Sequence, residues 1–102
     1  THWIFVNSNT EQYGNLEIRE VWSVGFISDG QLSPTIMRKL LKKNDEMKLG
    51  SWKIGNMNGK ELAIFYAQIA ADTDQATLLR ALQLVSEAAD DMEKELTGKD
   101  DL

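Results

Sequence analysis

Hydrophobic and polar positions follow two periods along this chain, and the switches between them mark its elements. "WIFV" at 3–6 reads as a buried strand, and the polar stretch from Asn7 to Asn15, which contains Gly14, as a loop. In "LEIREVWSVGFI" at 16–27, Leu16, Ile18, Trp22, Val24 and Phe26 recur at every second position. That spacing predicts a half-buried strand with those residues on one face. Glu20 interrupts the face and predicts a bulge or an overrunning strand end there. "SDGQ" at 28–31 has turn composition.

The period then lengthens. Ser33 is placed to cap a helix, and Pro34 stands at its first position, where a missing N–H costs nothing. Ile36, Met37, Leu40 and Leu41 make the expected buried stripe, lysines take the other side, and Gly50 is the expected stop. Residues 51–70 predict a hairpin, because Trp52 and Ile54 alternate and Asn58-Gly59 is a turn pair that tolerates positive φ. The return strand is apolar on both faces: Leu62, Ile64 and Tyr66 on one, Ala63, Phe65, Ala67 and Ile69 on the other. This predicts a central strand covered on two sides.

Thr73 or Asp74 is the expected cap of a final helix, in which Leu78, Leu82, Val85, Ala89, Met92 and Leu96 recur at alternating steps of four and three. With Ala81, Leu84 and Ala88 included, the apolar arc spans roughly 160°, whereas a helix lying on one sheet needs about 100°. The surplus is the edge formed by Ala81, Leu84 and Ala88, whose small residues permit a close approach. That edge is the candidate partner or dimer surface, and the competing reading is that a missing N-terminal segment, or the first helix, covers it. The element order β-β-α-β-β-α predicts an α+β fold, an antiparallel sheet with helices packed on it. Residues 1–97 are expected to form a single domain and 98–102 a frayed tail.

Composition narrows the classes of function. The chain has 102 residues, 42% hydrophobic and 26% charged, which is ordinary for one globular domain. It has no cysteine, so no disulfide, thiolate zinc site or cysteine nucleophile is available. That suits a reducing compartment, and the expected location is cytoplasmic. The longest apolar run, "LAIFYA", is far too short to cross a bilayer, and no membrane partner is expected. Thr1 opens the chain without a methionine, which predicts a processed or truncated form of something longer. Net charge is −5, with a basic stretch at 38–53 and an acidic one at 86–102. An acidic protein repels phosphate, so no nucleic-acid partner is expected; the two stretches read as solvated faces of complementary sign.

Candidate chemistry is sparse. His2 is the only histidine, and a lone imidazole makes no metal site. Asp90, Asp91, Glu93 and Glu95 read as a solvated helix face rather than a catalytic pair. Gly50, Gly55 and Gly59 lie between strands, unlike a phosphate loop, which joins a strand to a helix. Trp3, Phe5, Trp22, Phe26, Trp52, Phe65 and Tyr66 alternate with aliphatics on strands and read as core. An enzyme using carboxylates, or Tyr66 and Lys60, would require a deep polar pocket with a pKa-shifted acid. No catalytic residue, cofactor or metal is expected.

Three runs in order, "LSPTIMRKLLKKNDEMKLGSWKI", "GKELAIFYAQIAAD" and "LLRALQLVSEAADDMEKEL", resemble the YbjN family, whose members look like type III secretion chaperones in fold. The resemblance covers residues 32–97 and rests on a helix ending in Leu40, Leu41 and Asn44, a hairpin, and a last helix with Val85, Ala89 and Asp90. The family pattern opens with a further helix, which this chain lacks before its first strand. The resemblance implies a small, acidic, non-enzymatic bacterial module, chaperone-like or regulatory, acting as a homodimer that holds an extended partner segment. The alternative is a small structural or regulatory domain of a larger protein.

Overall fold

The computed structural model describes residues 3–97. Its elements are β1 (Ile4–Val6), β2 (Glu11–Tyr13), β3 (Leu16–Ile27), α1 (Pro34–Asn44), β4 (Ser51–Met57), β5 (Lys60–Ala70) and α2 (Gln75–Thr97). The strands form one open antiparallel sheet in the order β1-β3-β5-β4, with β2 on the same edge of β3 as β1. The chain is therefore α+β, as the pattern predicts, with one strand more than expected. Part of the expected 7–15 loop is β2, which meets β3 through a two-residue turn at Gly14 and Asn15, with Gly14 at φ +62°. The expected tail at 98–102 lies outside the described residues, as does His2.

The caps follow the local chemistry. Ser33 Oγ accepts from the Ile36 N–H at 3.1 Å and Pro34 is the first helical residue. Asp74 Oδ1 accepts from the Thr77 N–H at 2.7 Å, which starts α2. Asn58 at φ 54° and Gly59 at φ +81° turn the β4–β5 hairpin.

Both helices lie on one face of the sheet. The core joins Leu40 of α1 and Val85 and Met92 of α2 to Val21, Trp52, Ala63, Phe65 and Ala67, which the strand register places on that face. This helix face corrects the reading of β3. Its buried positions are Val21, Ser23 and Gly25, while Ile18, Trp22 and Val24 point to the opposite side. Small residues are required where a helix must approach a sheet closely, and Ser23, Gly25, Ala63 and Ala67 supply them. The bulge falls at Gly25, between Val24 and Phe26, and Glu20 stays in register opposite Gln68. Beyond the bulge Phe26 stands opposite Ala63 and joins the core. Ser23 is fully buried, and its hydroxyl donates to the Trp3 carbonyl at 2.6 Å.

Two helix-level expectations also change. Leu41 leaves the α1 stripe and is 72% exposed. The helix ends at Asn44 with Asp45 as its cap, six residues and one irregular turn before Gly50. The Asn44 side chain accounts for that end. Its Oδ1 accepts from the Trp52 N–H at 2.6 Å and its Nδ2 donates to the Trp52 carbonyl at 3.2 Å. The amide thus stands where a neighbouring strand would pair with β4, a sheet edge that would otherwise expose those groups. Asn44→Ala is expected to destabilise the protein by about 1–3 kcal/mol, and Asn44→Asp by at least as much, because it sets a carboxylate oxygen against the Trp52 carbonyl in place of the amide donor. Urea unfolding would show this as lowered midpoints; an unchanged midpoint in the alanine variant would remove the role.

Candidate functional site

The structure separates the three residues of the Ala81, Leu84 and Ala88 edge. Ala81 is 3% exposed and belongs to the buried side of α2. Ala88 is half-buried against the core, and Leu84 emerges at 46% exposure. The extra width of the apolar arc is thus partly absorbed by the fold, and what reaches solvent is centred on Leu84. There Leu84 and Ala88 form one wall of a groove of about 180 Å³, the 46–49 segment forms the other, and Phe65 lies within it. Met47 and Leu49 make that second wall largely apolar.

The opposite side of the sheet is the second candidate surface, and the sequence reading assigned its aromatics to the core. Among the described residues no helix packs on it. A cross-strand row runs Phe5, Trp22, Tyr66 and Ser51. Phe5 stacks on Trp22 with ring centroids 4.3 Å apart and an interplanar angle of 19°. The Trp22 indole N–H donates to Asn7 Oδ1 at 3.2 Å, which fixes the ring's orientation. Lys53 Nζ sits 4.4 Å from the Tyr66 ring centroid and 3.5 Å from Glu20 Oε1, so a cation–π contact and an ion pair share one ammonium.

This open face changes character along its length. Toward the β4–β5 turn, Leu62 and Ile64 are buried, and Ile64 Cδ1 fills the place a side chain at Gly55 would take. From Leu62 to Phe65 β5 is thus buried on both faces, as its pattern predicts, with the helices on one of them. Toward β2 the face opens into a shallow hollow of about 380 Å³, walled by Tyr13, Leu16, Ile18 and Gln68 with Glu11 and Gln12. Tyr13 is 79% exposed there and Leu16 51%. Arg19 Nη1 donates to the carbonyls of Asn7 and Ser8 at 2.6 and 2.9 Å, which pins the chain between β1 and β2.

Asp74 has its pKa lowered, by hydrogen bonds from the backbone and side chain of Thr77, as befits a helix cap rather than an acid catalyst. Among the described residues no three His, Asp or Glu side chains converge as metal ligands would, and no helix is long and apolar enough to cross a membrane. Of the acidic residues expected on a solvated face, Glu93 departs: it is 4% exposed. Its place four residues after Ala89 and one after Met92 turns it toward the core side of α2. Glu87, Asp91 and Glu95 are exposed.

Compared with protein-family models, curated proteins and solved structures, the chain matches none. The aromatic row could have been found from sequence by one signal, the small helix-facing residues Ser23, Ala63 and Ala67, which leave the larger side chains to the other side.

Proposed function

We propose that this chain is a non-enzymatic protein-binding module, chaperone-like or regulatory, that acts as a homodimer and holds an extended partner segment on its open sheet face. The observation that supports this reading is the aromatic and aliphatic surface from Phe5 and Trp22 to Tyr13 and Leu16, left bare by both helices. Contiguous exposed apolar patches larger than about a few hundred Å² are rare on monomeric proteins and mark interaction sites. A row of rings backed by rigid strands gives apolar contact at low entropic cost, and the Lys53–Glu20 pair at its side gives a polar anchor of both signs. The resemblance to the YbjN family and its secretion-chaperone-like fold agrees with this reading, and the two helices on one side of an antiparallel sheet are compatible with it.

The test uses chemically reduced insulin, whose freed B chain aggregates. Reductant leaves the present protein untouched, because it has no cysteine. The wild-type chain is expected to delay the rise in light scattering at near-equimolar ratios. Phe5→Glu combined with Tyr13→Glu, both exposed positions on the open face, should abolish the delay without altering the circular dichroism spectrum. Equal protection by that variant, or none by the wild type, would overturn the assignment.

A further inference from the structure

The helix side carries a second surface whose parts complement each other across two molecules. On α1 the exposed Leu41 sits between Arg38 and Lys42, and the helix holds four basic residues and no acidic one. On α2 the exposed Leu84 is followed by Glu87, Asp91 and Glu95, three exposed acids at successive steps of four. Like charges at that spacing disfavour the helix that carries them, and so do Arg38 with Lys42 and Lys39 with Lys43. Among the described residues no ion pair joins the α1 cations to the α2 acids. The basic ridge of α1 and the acidic ridge of α2 are thus complementary in sign, and each molecule presents both.

We propose that a second copy of this chain docks here through a two-fold axis. Leu41 of each copy enters the groove between Met47 and Leu84 of the other, and Arg38 and Lys42 lie against Glu87 and Asp91 across both halves of the seam. This rests on the homodimer reading above and supplies its interface. The groove, about 180 Å³ with walls from Met47, Leu49, Leu84 and Ala88, has room for an aliphatic side chain. An isologous contact uses the same patch twice, so each complementary pair counts twice. The overall charge of −5 opposes association at long range, while the local signs fix its register.

Charge reversal gives a test that a structural defect cannot imitate. In the variant Arg38→Glu with Lys42→Glu both ridges are acidic; in Glu87→Lys with Asp91→Lys both are basic. By sedimentation over a dilution series at low salt, the wild type should dimerise. Each variant alone should bind itself at least about a hundredfold more weakly, and an equimolar mixture should recover the dimer as a heterodimer. Leu41→Glu, at an exposed position, should weaken the dimer while leaving the fold intact by circular dichroism. A wild-type dimer whose charge variants self-associate unchanged would overturn this seam and leave the homodimer reading standing. A wild type that stays monomeric at every concentration would overturn both.

Discussion

Gly50→Ala is expected to destabilise the protein by about 3 kcal/mol or more, a large fraction of the roughly 5–15 kcal/mol that holds a domain folded. Two costs combine. Gly50 has φ +81°, where an L side chain crowds its own backbone at about 1–2 kcal/mol. A methyl group there would also overlap the Tyr66 carbonyl oxygen and come within 3.0 Å of two ring carbons of Phe65, and overpacking adds about 1–3 kcal/mol. Neither neighbour can yield, since Tyr66 is backbone of the central strand and Phe65 is 1% exposed in the core. Gly59→Ala is the control. It has the same φ of +81° but nothing within 4 Å, so only the backbone cost of about 1–2 kcal/mol applies. Thermal unfolding should show a drop of roughly 12 °C or more for the first and several degrees less for the second. Equal shifts would mean that the close packing of the 45–50 segment on β5 is wrong.

Gly50 also shows where sequence reading reached its limit. A glycine after a lysine-rich helix predicts a stop, but α1 ends at Asn44, whose amide has a better use as partner for the edge of β4. Local signals were legible wherever one residue's chemistry decides the outcome: the Ser33 and Asp74 caps, Pro34, and the Asn58-Gly59 turn. They failed where the outcome depends on what lies opposite. β2 has three exposed residues and no apolar alternation, and it exists because Gly14 and Asn15 fold it back on β3. On β3 the alternation of the larger apolar residues predicts the half-buried face, yet the helix face is set by the closeness that Ser23 and Gly25 allow. The same reversal moved Phe5, Trp22 and Tyr66 from core to candidate surface. Of the candidate edge on α2, Leu84 lies beside a groove, but the spacing could not show that Ala81 is buried.

Gly25→Ala tests that reversal, with an expected loss of about 2–3 kcal/mol. The added methyl would lie 2.6 Å from Cη2 and 2.9 Å from Cζ3 of Trp52, and 3.4 Å from the Ala89 carbonyl. Trp52 has little freedom to move. Asn44 holds its backbone, and its ring meets Phe65 edge-on at 5.3 Å and 62°. If the indole tip is what the methyl strikes, a smaller ring should relieve it. Trp52→Phe alone costs stability through lost contacts, but adding Gly25→Ala to it should cost much less than the same change in the wild type. A coupling of about 1 kcal/mol or more in denaturant midpoints would place the indole over Gly25. Strict additivity would mean that the sheet and α2 separate there, and that the helix face is not held closed by its small residues.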